Sequence, residues 1–353
     1  MHTTVTVTVL VVNWNRREML RECLQTLEMQ VDEAGRRWPL EVIVVDNGSS
    51  DGSAAMVRSE FPGMVLLENK ENLGFCGANN QGIRRASGDL VALLNNDAAA
   101  DPHWIQQLQA AFQVSPEVGM AASKIVTWDD PGRIDKVGHL IFPDGQNRGR
   151  GTGERDRGQY EKVEEVLWPD GCAAMYRKAM LDQIGGLDED LFAYGDDAEL
   201  GLRARIAGWR CLYMPRAIVR HRRSATMGQG SPARVTLIER NRILLAVKLF
   251  PWSLLLLNPF YFAVRMAAGL FAATAGDGDL AAFPGVTGKL RVAGALLRGQ
   301  WQAIKLTPRT LRKRAGIEKF AVLTAAQRRR LILDNRLSLA ALFGIVRETE
   351  MAP

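Results

Sequence analysis

Four runs of apolar residues, each closed by polar side chains, dominate the first hundred positions of the chain. Val5 to Val12, Leu40 to Val45, Met64 to Leu67 and Leu90 to Leu94 read as strands. Between them, Met19, Leu20, Cys23, Leu24 and Leu27 fall on one helical face. Asp46 to Gly52 is loop chemistry leading into a short helix, and Phe75 to Ala86 forms a further helix. Strands without polar alternation, separated by helices, predict a mostly parallel sheet covered on both faces. Ligands of such sheets bind beyond the carboxyl ends of the strands. Those ends carry Asn13 and Asn15, Asp46, Asn69, and Asn95-Asn96-Asp97.

The phosphate loop G-x-x-x-x-G-K-[ST] is absent, as is a G-x-G-x-x-G after the first strand, which argues against a P-loop ATPase and a dinucleotide-binding dehydrogenase. Strand-end side chains take their place. Asp46 can accept hydrogen bonds from a base or ribose. Asn69, Asn72 and Gly74 open a helix whose backbone N–H groups can receive an anion. Asp97 is placed to hold a cation that bridges phosphates. Mg²⁺ and Mn²⁺ accept one or two carboxylates together with substrate phosphates. The rival reading of Asp97 is a turn residue or helix cap before Pro102.

The motifs V-V-N-W-N-R, V-D-N-G-S-S-D-G-S, N-x-x-N-L-G-F, L-L-N-N-D and D-D-A-E-L occur in this order over roughly residues 5 to 225. Together they resemble the family 2 glycosyltransferases, closest to the bacterial branch with rhamnosyltransferases of cell-wall and surface polysaccharide assembly. The resemblance implies a GT-A α/β fold and inverting transfer of a sugar from a nucleotide-diphosphate donor to a glycan or polyprenyl-linked acceptor. It implies that Asn13, Asn15, Asp46, Asn69, Asn72, Gly74, Asn95 and Asn96 face the donor. Asp97 matches the last acid of the family's metal-binding Asp-x-Asp motif, whose first position here is Asn95. His221 matches a histidine that completes the metal shell; beside Arg220, Arg222 and Arg223 it can equally belong to a cationic diphosphate clamp. Asp197 matches the general base, with Asp196 beside it, although acids at a helix start also serve as caps. Like charge from Asp196 and Glu199 is expected to raise the Asp197 pKa, and the helix N-terminus to lower it. Trp168 and Asp170 resemble an acceptor-side strand, where they face a sugar or simply form a buried Trp beside a turn Asp. Ala217 to His221 reads as a short strand after Pro215.

With 353 residues the chain exceeds one typical domain. A catalytic domain over 1–230 and a helical extension over 231–353 are expected. From residue 226 onward there are 19 lysines and arginines against 7 aspartates and glutamates, a balance of +12; the first 225 residues hold 26 against 32, or −6. A basic tail suggests an anionic partner. The uncharged run Leu249 to Val264, broken by Pro251 and Pro259, is too short to span a bilayer. It suggests an in-plane element on the inner face of the cytoplasmic membrane rather than nucleic-acid binding; the alternative is a helical hairpin on the body. No leader-like pattern opens the sequence and the four cysteines are scattered, so a cytoplasmic, peripheral membrane location is the expectation. Gly145 to Gly158, rich in Gly and Arg, reads as a mobile loop. Two other functions stay open at this point, a sugar-nucleotide-forming nucleotidyltransferase and a non-catalytic glycan-binding scaffold.

Overall fold

The computed structural model describes residues 6–222, 231–274, 283 and 285–342. The chain divides into two compact units, Met1–His139 with Arg155–Arg223, and Leu140–Glu154 with Ser224–Pro353. This differs from a single division at residue 230 by the excursion Leu140–Glu154, which packs with the helical unit. Arg223, one of the arginines beside His221, lies outside the described residues.

In the first unit the chain runs β1 (Val7–Asn13), α1 (Arg17–Glu28), β2 (Glu41–Asp46), α2 (Ser53–Glu60), β3 (Val65–Glu68), α3 (Gly74–Arg85) and β4 (Leu90–Leu94). It continues with β5 (Ala98–Ala100), α4 (Trp104–Val114), β6 (Val118–Thr127), β7 (Ile134–Lys136) and β8 (His139–Ile141), the last crossing into the second unit. There β9 (Asn147–Gly149) pairs with β8. The first unit resumes with β10 (Glu164–Glu165), β11 (Ala173–Arg177), α5 (Lys178–Ile184), α6 (Asp196–Ile206) and β12 (Arg210–His221).

The sheet order is β10-β12-β6-β11-β4-β1-β2-β3, with β5 on β12 and β7 on β6. β1 is parallel to both β2 and β4, and β3 to β2. β11 is antiparallel to β4 and β6. Val12 is only partly buried, whereas Val7, Val9 and Val11 of β1 and Val42, Val44 and Val45 of β2 are buried. Each such side chain contributes about 1.5–3 kcal/mol of burial.

Register does the functional work. Asn13 lies opposite Asp46, and Asp46 opposite Glu68, next to Asn69. The polar residues therefore emerge at one edge because the apolar runs pair level with one another. β12 is longer than the segment Ala217–His221 expected from sequence. It runs from Arg210 through Pro215, and a register shift between Met214 and Ile218 absorbs the proline, which cannot donate to a ladder.

The second unit holds α7 (Pro232–Leu249), α8 (Trp252–Leu255), α9 (Asn258–Thr274), α10 (Gly285–Ile317), α11 (Ala325–Asp334) and α12 (Leu339–Leu342). α7 and α10 touch closely at Gly299, where an added Cβ would come within 2.7 Å of the Thr236 carbonyl oxygen. Arg314 donates to the carbonyls of Val247 and Phe250 and so closes the C-terminus of α7. Asp144, fully buried, accepts from Arg265 at 2.6 Å, and Glu239 joins Arg242 and Arg265 in the same network. This network anchors the excursion. The Gly- and Arg-rich stretch 145–158 is accordingly not featureless, since it contains β9 and turn hydrogen bonds.

The apolar run 249–264 is divided among the end of α7, α8 and the start of α9. Pro251 ends α7, and Leu249, Phe250 and Leu254 are buried while Trp252, Leu256 and Phe260 are exposed. No helix among the described residues is long and apolar enough to cross a membrane.

Candidate active site

The strand-end asparagines and aspartates form one hydrogen-bonded array. Asn96 donates to the Asn13 side-chain oxygen at 2.6 Å, and Asn13 in turn donates to Asp46 at 3.3 Å. Asp46 accepts from the Ser49 N–H, while the Ser49 hydroxyl accepts from the Asn15 N–H. Asn15 sits at φ 51°, a left-handed conformation that lets its side-chain oxygen receive the Ser50 N–H. Beyond Asp46, Asn47 donates to Asn72 at 2.8 Å and accepts from Asn69 and from the Leu73 N–H. Asn72 accepts the Gly74 N–H at the start of α3. Asn47 was not singled out from sequence, yet it ties Asn69 and Asn72 to the β2 end.

Gly74 is required where it stands. Its φ is +76°, and an added Cβ would lie 2.5 Å from the Phe192 ring. That contact seats the loop before α6 on the start of α3, and the Cys76 N–H donates to the Phe192 carbonyl. Phe192 and Tyr194 both have positive φ, and Gly195 is the left-handed N-cap of α6. Strained backbone of this kind concentrates at functional sites.

Asp97 and His221 meet at the end of β12. β5 turns the chain back so that Ala98 pairs with His221, and the imidazole Nε2 lies 3.3 Å from Asp97 Oδ1. On the other side of the ring, Nδ1 is 2.8 Å from Asp135 Oδ2. Asp135 arrives through an irregularity in the β6–β7 pairing: Ile125 pairs with Lys136 and Val126 with Ile134, which leaves Asp135 as the extra residue. Bulges of this type re-aim side chains next to active sites. Burial opposes a charged His221, but the Cys172 thiol, Asp135 and Asp97 outweigh it and hold the imidazolium pKa well above its usual value. A buried carboxylate and an imidazole oriented by a second carboxylate make a donor set suited to a divalent cation, provided the imidazolium releases its Nε2 proton as the cation binds. Arg222 does not join them: it pairs with Glu22 at 2.6 Å and lies over the Trp128 ring.

Asp196 and Asp197 open α6 beside a second group of ionisable side chains. Asp197 Oδ2 is 3.4 Å from His139 Nε2, which is 2.8 Å from Asp170 Oδ2; Lys136 Nζ is 2.6 Å from the same Asp170 oxygen. His139, Asp170 and Asp197 offer ligand atoms within 4.8 Å of one another. The Lys136 ammonium lies against that group and offsets part of its negative charge. Burial raises the Asp197 pKa, with Asp170 adding to it, while His139, Lys136 and the Ala198 N–H pull it down. Glu199 does not contribute the repulsion expected of it, because its carboxylate is paired with Arg203 at 2.8 Å. Asp196 is pushed up to about 8, by burial and then by Asp197.

Trp168 is wholly buried. It stacks on His139 with ring centroids 5.8 Å apart, and Gly201 leaves it room. It therefore supports the imidazole and does not face a sugar. Trp168 and Asp170 lie in the irregular segment before β11, not on a strand. The two clusters meet at Cys172, whose N–H donates to Asp170 at 2.9 Å and whose thiol lies against His221. The Cys172 carbonyl accepts the Asn95 N–H, which links this junction to β4. Asp46, Asp97, His221 and Asp197 thus belong to one connected set of contacts. Asp135, Lys136 and His139, all from the stretch Ile134 to His139, complete it. Their sequence signal is three titratable residues within an otherwise apolar stretch.

The family model described as glycosyltransferase like family 2 matches residues 4–242. An N-acetylglucosaminyl-diphospho-decaprenol L-rhamnosyltransferase of Mycobacterium tuberculosis is 28% identical over 212 residues, covering 54% of this chain and 69% of the relative. The O-antigen biosynthesis protein RfbC of Myxococcus xanthus is 27% identical over 222 residues, covering 60% of this chain and 17% of the relative. Among solved structures, GalNAc-T7 with UDP, GalNAc and Mn²⁺ superposes with a TM-score of 0.57 at 13% identity, over 70% of this chain and 48% of that one.

Proposed function

The chain belongs to glycosyltransferase-like family 2 and has the GT-A fold, and we propose that it transfers a sugar from a nucleotide diphosphate to an acceptor hydroxyl with inversion. The observation that carries this reading is the connected array from Asp46 through Asp97 and His221 to Asp197. In the proposed complex the donor nucleoside lies against Asn13, Asn15 and Asp46, while Asn72 and Gly74 shape the loop beside it. The N–H groups of Leu73, Gly74 and Cys76 at the start of α3 are taken up by Asn47, Asn72 and Phe192 and are not left for the diphosphate. Asn69 and Asn95 hold these loops in place. Asp97 and His221 would hold a divalent cation such as Mg²⁺ or Mn²⁺. When bound, that ion neutralises charge developing on the departing diphosphate.

Asp197 accepts the proton of the acceptor hydroxyl as its oxygen bonds to the anomeric carbon. The bond from that carbon to the phosphate oxygen breaks, and nucleoside diphosphate leaves on the opposite face. Burial makes Asp197 a better base than an exposed carboxylate, and His139 and Lys136 keep it ionisable. Asp170 holds His139, and Asp196 keeps its proton beside the acceptor.

Names of the relatives support rhamnose as the sugar and a glycan or polyprenyl-linked acceptor. We further propose a cytoplasmic enzyme peripheral to the inner face of the membrane, on the basis of exposed apolar side chains in the basic second unit. Product analysis tests the chemistry. Incubation with thymidine and uridine diphospho-sugars should release nucleoside diphosphate, and chelation of divalent cations should abolish it. Release of pyrophosphate, or unchanged turnover in chelator, would contradict the scheme.

A further inference from the structure

We propose that α10 lies in the plane of an anionic phospholipid bilayer, with the stripe from Val286 to Leu311 inserted among the acyl chains. The proposal rests on the peripheral-membrane reading above and assigns it to one helix face. Val286, Leu290, Leu297, Trp301, Ile304 and Leu311 recur at intervals of three, four or seven positions, which places them along one side of the helix. All are exposed, Leu297 by 67%, Trp301 by 58% and Ile304 by 62%. The core does not account for them, because a different face of α10 is buried: Val292, Ala295, Gly299 and Ala303, with Gly299 and Ala295 against α7. Single exposed apolar residues are ordinary, but a continuous stripe of this length marks an interaction surface.

Charge identifies the occupant. Lys289, Arg291, Arg298, Lys305, Arg309 and Arg312 flank the stripe, and the helix contains no acidic residue. The Lys305 ammonium lies over the Trp301 ring, 5.2 Å from its centroid, which sets a cation directly beside the apolar stripe. Lysine and arginine beside an apolar stripe with tryptophan match an interfacial helix on anionic headgroups. The same intervals also suit a coiled coil, but two copies pairing through this stripe would set basic flanks against basic flanks. Lipid phosphate satisfies them instead.

The test is partition of the full chain onto vesicles of phosphatidylcholine, with and without phosphatidylglycerol. Binding should require the anionic lipid. The triple variant Leu297→Ser, Trp301→Ser, Ile304→Ser should bind such vesicles at least about tenfold more weakly, with unchanged melting and unchanged transfer to a soluble acceptor. Arg298→Gln with Lys305→Gln should weaken binding as the anionic fraction is raised, again by about tenfold. If the triple variant melts early, Ile304→Asp alone replaces it. Equal binding by parent and stripe variants would overturn the assignment to α10 while leaving a peripheral enzyme. A parent that binds no vesicle would overturn both, and a parent dimer dissociated by the stripe variant would assign the face to a second copy. Transfer to the soluble acceptor reports on the catalytic reading separately.

Discussion

His139 opposes the burial that raises the Asp197 pKa. It faces the carboxylate at 3.4 Å and rests on buried Trp168. Because the base must be ionised, activity should fall on the acid side at a pH above the usual carboxylate range. Replacement by glutamine removes the lowering influence, so the acid limb of the rate profile should move to higher pH. The rate on the plateau should change by less than tenfold, since glutamine keeps a polar group near Asp170. A limb that stays put, measured as kcat against pH, would mean that Asp197 does not titrate in the step observed. At this scale the positions of Asp46 and Asp97 beyond apolar runs and of Asp197 at a helix start were legible in the sequence, whereas the roles proposed for Asp97 and Asp197 rest on the family resemblance. His139 was not singled out. Its partners lie 31 and 58 positions away, so the titratable cluster of Asp135, Lys136 and His139 does not by itself say which residues it meets. Trp168 misleads in the opposite direction: an aromatic beside an acid looks like a sugar platform, and only packing against Gly201 shows it to be interior.

At the level of elements, the site depends on where strands end and where one slips. The four apolar runs gave the parallel strands to within a residue or two, and with them the level row of Asn13, Asp46 and Asn69. β12 was foreshortened because Pro215 reads as a strand breaker, whereas the register shift accommodates it. The irregularity that delivers Asp135 to His221 left no mark in the periodicity at all. It has a measurable consequence. Asp135→Asn should keep the fold but loosen the orientation and basicity of the imidazole, with a fall of roughly 10–100-fold in cation affinity or activity, as expected for a partner of a metal-ligating histidine. Titration of activity against Mn²⁺ checks this; an unchanged cation requirement would remove Asp135 from that role.

As a whole molecule, the protein combines a unit that carries chemistry with a unit built of helices around buried charge. In the second, Asp144, Glu239, Arg242 and Arg265 neutralise one another out of water. Asp144→Ala would leave Arg265 and Arg242 short of a carboxylate, at a cost of about 3–5 kcal/mol. Denaturant unfolding should show that loss in the transition of the helical unit and leave donor binding by the other intact. Glu239 carries a pKa held below its usual value, by the arginines against the opposing effect of burial. Its contribution is therefore present above the unfolded-state pKa and is lost as pH falls through the folded one, so acid should weaken the helical unit. The sequence showed this unit's basic charge and its apolar run, but not that the excursion Leu140–Glu154 belongs to it, because that membership depends on Asp144 meeting arginines about a hundred positions later.

Turnover by Asp197→Asn, measured beside its binding of donor and cation, bears on catalysis most directly. Transfer should fall by about 10²–10⁴-fold while donor and cation still bind as in the parent, because asparagine keeps the shape and loses only the proton acceptor. Transfer at close to the parental rate would contradict the assignment of the base, and so would a loss of donor binding as large as the loss of rate.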